Sequence, residues 1–311
     1  MGLFPLGLAS ASPLSLPGTL PPVKPYRTYS VPTYQTSVAA GGSLTLATLT
    51  GAGAVLGVEL AVTDTAGGNN DKDCNLQFLV DGSSSPSVSA AVGTMGAWFV
   101  GTATARACTH MQIQVESASQ SSVTMRYPVP FSSGCKVVLS AAGTTDSCDV
   151  YAYVWWTPDL ISDLRLNQQA VASAVLTSTE TYTWMTRPAG SAGWIVAHAL
   201  VCNGATDYTY LRRSVAAYID QETSPSYVSG ATDDFFTSSW LAAAQNQQDS
   251  PWHYVTVSTN DYWTAFVDLL AKHGGIRYTN GVSFEWYTDP DNPLQPDTGV
   301  TMNYLTWYYE E

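Results

Sequence analysis

Four acidic residues close together in the second half of the sequence could perform catalysis: Asp220, Glu222, Asp233 and Asp234. Paired carboxylates hydrolyse glycosidic bonds, one acting as the acid and the other as base or nucleophile. The alternative is structural, because an Asp at the end of a strand caps the following turn through its side chain. A residue that recurs with the fold is usually structural, so a second copy of the pattern would favour the structural role.

The chain contains such a second copy. In Ile219–Ser226 an aliphatic residue precedes Asp220, and Pro-Ser follows five and six positions after it; Val80–Ser87 has the same spacing around Asp81. The two Asp residues are 139 positions apart, nearly half the chain, which predicts two copies of one fold. We therefore expect Asp81 and Asp220 to hold equivalent turns.

An aromatic pair follows each copy, Trp98-Phe99 in the first and Phe235-Phe236 in the second. Asp233 and Asp234 precede the second pair, whereas the first pair has no acidic counterpart. They are therefore the only acids of the cluster that remain candidates for catalysis.

No other motif predicts chemistry. The sequence has no GxxxxGK[ST] or GxGxxG loop for a nucleotide and no GxSxG elbow for a nucleophilic serine. The four histidines lack metal-ligand spacing, so we expect packed or surface residues, no metal and no cofactor: His110, His198, His253 and His273. Five cysteines without a CxxC pair favour reduced thiols and assembly in a cytosol.

The composition limits the possible partners. Charged residues make up 12% of the 311, about half the usual share, which suggests that much of the surface faces other protein. A neutral extracellular β-protein is the alternative. The net charge of −13 argues against a nucleic-acid groove. The sequence contains no run of 18 apolar residues, so no transmembrane helix is expected.

Alternating apolar residues separated by Gly- and Asp-rich turns predict an all-β protein of two consecutive jelly-roll β-sandwiches. We expect the first jelly roll at 39–157 and the second at 179–311. Between them, 158–178 is predicted to be a short connector helix, because Pro158 follows Thr157 as a possible N-cap and apolar residues form one stripe. Helices are also expected at Ser238–Gln247 and Asp261–His273.

Residues 1–38 contain seven prolines, so neither a helix nor a central strand is expected there. One possibility is a disordered tail. The other is an extended arm whose apolar residues clamp a neighbouring subunit or touch a lipid surface.

Several blocks between residues 43 and 240 resemble the double-jelly-roll glycoside hydrolases that act on fructofuranosides, glycoside hydrolase family 172. They include "TLTGAGAVLGVEL", "YPVPF" and "IDQETSPSYVSGATDDFF". The resemblance implies that two catalytic carboxylates of the family correspond to Arg212 and Asp233. One acid is thus replaced by a cation and the other is shortened by a methylene, a shift of about 1 Å that matters for positioned catalysis.

The same fold resembles that of major capsid proteins of tailless icosahedral viruses. This second resemblance implies a homotrimer that forms a pseudo-hexagonal tile and contacts neighbouring capsomers. It also implies a location in the virion, minor capsid or vertex proteins as partners, and an internal membrane as a possible partner of the N-terminal arm. The net charge argues against sequence-specific nucleic acid as a partner, and the unpaired cysteines favour assembly in the host cytoplasm. We expect this function and no enzyme activity; an active or divergent fructofuranoside hydrolase is the alternative, and a carbohydrate-binding or spike module is a third.

Overall fold

The computed structural model describes residues 29–68, 70–91, 104–117, 120–159, 161–175, 181–203, 213–230, 232–237, 247–250, 253–259, 262–287 and 300–311. The strands of the first half are β1 (Tyr29–Val38), β2 (Ser43–Thr50), β3 (Gly53–Asp64), β4 (Asn75–Val80), β5 (Val88–Ala91), β6 (Thr104–Ala107), β7 (Met111–Ser117), β8 (Gln120–Met125), β9 (Val129–Phe131), β10 (Gly134–Ser140) and β11 (Cys148–Thr157).

The second half has a matching set of strands. They are β12 (Arg165–Val175), β13 (Tyr182–Arg187), β14 (Gly193–Asn203), β15 (Ser214–Ile219), β16 (Tyr227–Val228), β17 (Gln247–Ser250), β18 (His253–Thr259), β19 (Tyr262–Asp268), β20 (Ile276–Tyr278), β21 (Val282–Tyr287) and β22 (Thr301–Glu310). The helices of the described part are α1 (Asn70–Asp73), α2 (Thr232–Thr237) and α3 (Leu269–His273).

Each half forms one large and one small antiparallel sheet. The large sheets have the strand orders β1-β11-β3-β8-β7-β6 and β12-β22-β14-β19-β18-β17, with β9 and β20 added beside β3 and β14. The small sheets are β2-β10-β4-β5 and β13-β21-β15-β16. Adding eleven to the number of any strand in the first half gives the number of its counterpart in the second half. The predicted all-β fold of two consecutive jelly rolls is confirmed.

The two halves also agree in register. Trp155 pairs with Gly57 and Trp156 with Val55, so Leu56 is bulged out of β3. Trp307 pairs with Ala197 and Tyr308 with Ile195, so the bulge in β14 falls at the equivalent residue. A bulge adds a residue to one strand and changes its twist. The repeat therefore extends from the sequence pattern to the local shape of the central strands.

A glycine opens the long central strand of each large sheet, Gly53 in β3 and Gly193 in β14. A Cβ atom on Gly53 would collide with the carbonyl oxygen of Thr157, and one on Gly193 with that of Tyr309. Gly53 therefore allows β3 to approach β11 closely, and Gly193 allows β14 to approach β22 closely.

Alternating side chains build the cores. In β4 every second residue is buried, as expected of a strand with one face on a core. The first buried cluster fills the first jelly roll and continues into the second through Trp194, Ala199, Phe266 and Trp307. A second cluster around Trp184, Phe284 and Trp286 fills the second jelly roll. The two halves are thus packed against each other through apolar side chains.

The predicted connector helix at 158–178 is wrong. Residues 165–175 form β12, which pairs along its length with β22 at the edge of the second large sheet. Leu164 and Leu166 are buried at alternate positions, which is the period of a strand. The apolar residues of this segment have a weakly helical spacing, but pairing with the aromatic strand β22 decides its structure. Local helix propensity is routinely overridden by tertiary contacts.

The boundary predicted for the N-terminal arm also needs correction. Tyr29–Val38 form β1, which pairs with β11 and belongs to the first jelly roll. Pro32 is tolerated because β1 is an edge strand with only one neighbour. Residues 1–28 lie outside the described part of the chain.

The helices expected in the second half differ as well. Asp261–His273 was expected to be helical, but β19 occupies Tyr262–Asp268 and only Leu269–His273 is helix. Gln247 begins a strand, and the rest of the helix predicted at Ser238–Gln247 lies outside the described residues. Among the described residues no helix is long and apolar enough to cross a membrane.

Candidate functional site

Asp81, in the first copy of the repeated stretch, holds a turn. It follows β4 with a left-handed φ of 54°, a conformation that Asp tolerates better than most residues. Its Oδ1 accepts from the backbone N–H groups of Ser132 (2.8 Å), Ser133 (2.6 Å) and Gly134 (3.3 Å). The carboxylate therefore fixes the loop that leads into β10.

Asp220 holds the equivalent turn in the second half. It has the same φ of 54° after β15. Its Oδ1 accepts from the backbone N–H of Thr279 and of Asn280 (2.7 Å), and its Oδ2 accepts from the Thr279 hydroxyl (2.9 Å). These residues lead into β21, the counterpart of β10. The two Asp residues are therefore equivalent, as the sequence repeat predicts, but each side chain holds a loop more than 50 residues further along the chain and not the turn that directly follows it.

Both carboxylates are held in the charged form. Burial tends to raise the pKa of Asp81, but hydrogen bonds from Ser133 and Ser132 and the charge of Arg165 bring it below the usual value. For Asp220 the hydrogen bonds from Thr279 and Asn280 likewise outweigh burial, and its pKa is lowered. A carboxyl group with a lowered pKa is a poor general acid at neutral pH.

Asp81 also ties the two jelly rolls together. Arg165, the first residue of β12, places its Nη2 2.6 Å from Asp81 Oδ2 and also bonds the Ser132 hydroxyl. The start of the second jelly roll is therefore fastened to the turn of the first. Asp220 is not reached by an arginine at this distance, so this is the main difference between the two turns among the described residues.

Of the remaining residues of the acidic cluster, only Glu222 has a side chain within the described part of the structure. Glu222 bonds the Ser226 hydroxyl within its own turn. Asp233 and Asp234 belong to α2. The Thr232 hydroxyl of this helix donates a hydrogen bond to the Arg213 carbonyl (2.8 Å), and its Phe235 side chain is buried. The side chains of Asp233 and Asp234 and all of Arg212 lie outside the described residues, so a residual catalytic role there stays a prediction.

The histidines are placed differently from one another. His198 is buried, and its Nδ1 lies 2.8 Å from the Thr306 hydroxyl oxygen. Burial lowers the pKa of His198 to about 3. His273 is exposed at the end of α3, while the side chain of His253 lies outside the described residues. Among the described residues no three His, Cys, Asp or Glu side chains are grouped as metal ligands.

His110 contributes to a polar contact between the jelly rolls that sequence reasoning missed. Its backbone N–H donates to Asp268 Oδ2 (3.0 Å), and its Nδ1 lies 2.8 Å from the same oxygen. The Asp268 side chain is fully buried, and its Oδ1 caps α3 by accepting from the Ala271 N–H (3.0 Å). No local pattern connects two residues this far apart in the chain, so the sequence offered no signal for the pair.

Apolar and aromatic groups surround this contact. The Tyr127 ring of the first jelly roll meets the Trp307 ring edge-on at 5.2 Å between centroids. The Tyr309 hydroxyl donates to the Pro128 carbonyl (2.6 Å). We call this contact region, from His110 and Tyr127–Pro128 to Asp268, Trp307 and Tyr309, the junction. Beside it lies an apolar cleft of about 140 Å³, lined by Pro128, Pro130, Ile161, Ser162, Leu164, Trp194, Val196, Leu270, Gly274 and Tyr309.

Five large hydrophobic side chains of the described part are exposed: Tyr151, Trp155, Val175, Tyr227 and Val228. The first two lie on β11 at the outer face of the first large sheet, and the last two form β16. The five cysteines are free and buried, and burial raises the pKa of Cys108 and of Cys135 to about 12.

No protein-family model matches the sequence, and a comparison with curated proteins finds no significant match. The resemblance to glycoside hydrolase family 172 therefore has no support at the level of sequence. Solved structures do match. The chain is similar to the major capsid protein (MCP) of STIV, Sulfolobus Turreted Icosahedral Virus, with a TM-score of 0.50 at 7% identity, covering 91% of this chain and 96% of that one.

A second similar structure is the major capsid protein P2 from Bacteriophage PM2, with a TM-score of 0.49 at 10% identity, covering 91% of this chain and 98% of that one. At such low identity the likeness concerns the fold. The likeness to the STIV protein agrees with the strand order, which makes the fold a double jelly roll.

Proposed function

We propose that this chain is the major capsid protein of a tailless icosahedral virus, and that three copies form a pseudo-hexagonal trimer. The observation that carries the proposal is the duplication itself. Two jelly rolls with the same strand order are packed into one subunit through a buried junction. Three such subunits contribute six similar blocks, which is the number needed for a hexagonal tile. The likeness to the STIV protein over almost the whole of both chains supports it.

The surface supports extensive contact with other protein. Charged residues make up only 12% of the chain, and exposed aromatic residues lie on β11 and β16. Interfaces are enriched in Tyr and Trp and depleted of Lys and Glu. Neighbouring copies and capsomers are the first partners of such a surface, with minor capsid or vertex proteins next.

The segment before β1 is the part of the chain assigned to contacts outside the tile. Residues 1–28 contain six prolines together with Leu3, Phe4, Leu6 and Leu8. In the proposal this arm reaches a neighbouring subunit or an internal membrane. The net charge of −13 is unsuited to binding nucleic acid. The protein would be located in the virion after assembly in the host cytoplasm.

The proposal includes no enzyme activity. No observation favours the alternative, a fructofuranoside hydrolase, since Asp220 is engaged in a turn and no sequence match supports the family. No catalytic role is assigned to Asp233 or Asp234.

The direct test is assembly of the purified protein. Sedimentation analysis over a range of concentrations is expected to show a trimer, and electron microscopy of the native source to show icosahedral shells containing this chain. A species that remains monomeric at every concentration, from a source without shells, would overturn the proposal.

A further inference from the structure

Two of the five buried cysteines lie in contact with each other. Cys74 and Cys148 are both 0% exposed and belong to the core of the first jelly roll. A hydrogen bond joins their thiol groups. Cys108 and Cys135 have carboxylates near their thiols instead, and Cys202 lies in the core of the second jelly roll. Cys74 and Cys148 are therefore the thiols that the fold brings together.

Strand pairing fixes the position of Cys148. It is the first residue of β11, where it pairs with Val38 of β1 on one side and with Asp64 of β3 on the other. Its side chain points into the core with those of Val150 and Ala152, because alternate residues of a strand share one face. The direction of the Cys148 side chain is thus set by three neighbouring strands of the first large sheet.

The same Asp64 fixes the segment that carries Cys74. Its Oδ2 accepts from the Asn70 backbone N–H (3.0 Å) and from the Asn70 side-chain amide (2.7 Å), at the start of α1. Asn70 Oδ1 accepts in turn from the Thr145 N–H (2.8 Å), which lies shortly before Cys148 in the chain. Cys74 follows directly after α1. Asp64 therefore pairs with one cysteine and holds the helix that leads to the other.

The helix and the far side of Cys74 are held as well. The Ser121 hydroxyl of β8 donates to the Asp71 carboxylate of α1 (2.5 Å), and both residues are buried. Asn75 begins β4 and pairs with Ser140 of β10. The contact between the two thiols is thus fixed by the backbone around them. Two cysteines can be bridged without moving the chain only where their backbones are already held close together.

The surroundings of the pair decide how it reacts. Burial raises the pKa of Cys74 and of Cys148, so both thiols are protonated at neutral pH and react slowly. The hydrogen bond from Cys74 favours the thiolate of Cys148, which makes Cys148 the first of the two to lose its proton. Such a pair stays reduced in a cytosol, where glutathione keeps thiols reduced, and oxidises in an environment that remains oxidising.

We propose that Cys74 and Cys148 form a disulfide when the protein leaves a reducing compartment, and that this bond fastens α1 to the start of β11. The oxidant is a low-molecular-weight disulfide such as oxidised glutathione. The Cys148 thiolate attacks one of its sulfurs and releases one small thiol, and Cys74 then attacks the mixed disulfide and releases the second. The protein loses two electrons and two protons, which leave with the two small thiols. The pairing takes place within one chain and does not depend on the proposed capsid function.

The bond closes a loop of roughly 75 residues, from Cys74 to Cys148. A cross-link over a loop of this length stabilises a protein chiefly by limiting the freedom of the unfolded chain. It joins the corner of the first jelly roll at which β1, β3, β4 and β11 meet. The oxidised protein is expected to unfold at a temperature roughly 5–10 °C higher than the reduced protein.

Oxidation of the purified full chain tests the pairing. The protein is held with oxidised glutathione just below its thermal transition, where local opening exposes buried thiols. Thiol titration of the denatured product is expected to find three free thiols in place of five, and the intact mass to fall by about 2 Da. Non-reducing peptide mapping should join the peptide of Cys74 to that of Cys148. A product without a bond between these two residues overturns the inference.

Single variants separate this pair from the other thiols. Cys74→Ala and Cys148→Ala should show no rise in unfolding temperature on oxidation. The matched control Cys135→Ala removes another buried cysteine of the first jelly roll and should show the full rise of the wild type. Dithiothreitol should reverse the rise in the wild type and in the control. A rise that persists in Cys148→Ala contradicts the proposed bond, and if an alanine variant does not fold, the peptide map of the wild type decides.

The outcome is separable from that of assembly. Sedimentation of the reduced protein tests the trimer, whereas the peptide map tests the disulfide in monomer and trimer alike. A protein that forms the bond but stays monomeric leaves this inference standing and overturns the capsid function. A trimer in which the two cysteines do not pair does the reverse.

Discussion

Asp268 of the second jelly roll accepts two hydrogen bonds from His110 of the first, across a sequence separation of 158 residues. The same carboxylate caps α3 with its other oxygen. One fully buried side chain thus joins the two halves and fixes the helix beside their junction.

Replacing Asp268 with alanine is expected to lower the free energy of unfolding by about 3 kcal/mol, because the partly buried donors of His110 and the N-terminus of α3 lose their acceptor. Urea denaturation at pH 7 measures this loss. Asp163→Ala, an exposed residue between the jelly rolls, is the control and should change stability by less than about 0.5 kcal/mol. A loss at Asp268 as small as that of the control would contradict the role assigned to the pair.

The repeated turns predict two nearly independent contributions to stability. Asp81→Asn and Asp220→Asn each keep a residue that tolerates positive φ but remove the charge, so each should cost about 1–2 kcal/mol. Asp81→Asn should cost more, because it also removes the contact with Arg165. The double variant should equal the sum within about 0.5 kcal/mol, since the turns share no partner.

The same turns predict a pH dependence. A lowered pKa in the folded state means that each carboxylate stabilises the protein above the unfolded pKa, about 3.9, and that this stability is lost as the pH falls through the folded pKa. The Asn variants should therefore lose less stability than the wild type below about pH 4. Equal acid sensitivity in wild type and variants would count against the hydrogen-bonded carboxylates.

His198 predicts a second pH effect, at higher pH. Burial lowers its pKa to about 3, below the unfolded value of about 6.5, so the folded protein binds fewer protons between these values. Stability should fall as the pH drops through this window, by at most about 1.4 kcal/mol per pH unit. His198→Gln should remove the part of this slope that comes from one proton taken up on unfolding. The free energy of unfolding, measured by urea denaturation at several pH values between about 6 and 4.5, gives the slope for each variant. The more exposed His273→Gln should reduce it much less.

Trp155 and Trp307 predict a contrast between equivalent positions. In dilute, unassembled protein, Trp307→Ala should lower the free energy of unfolding by about 3–5 kcal/mol, because a fully buried side chain is removed. Trp155→Ala should cost less than about 1 kcal/mol, because its ring is already partly in water. Thermal and urea unfolding of the two variants measure the difference, and equal losses would mean that Trp155 is already covered in the monomer.

The sequence by itself determined the duplication and the strand-rich architecture. The repeat at Asp81 and Asp220 is visible as a spacing in the sequence, although each carboxylate accepts from backbone N–H groups more than 50 residues further along the chain. The alternation of apolar and polar residues also predicted most strands. Both features are read from spacing alone, so they could be predicted without knowing which residues the two carboxylates contact.

Only the tertiary structure decided how the halves meet. Residues 165–175 carry an ambiguous pattern, and they form a strand because β22 offers them an edge to pair with. Asp268, His110 and Trp307 have no local signal, since their roles depend on partners in the other half. Trp155 and Trp307 show the physical reason: the same residue in the same register is exposed or buried according to what packs on its sheet, and the local sequence does not specify that contact.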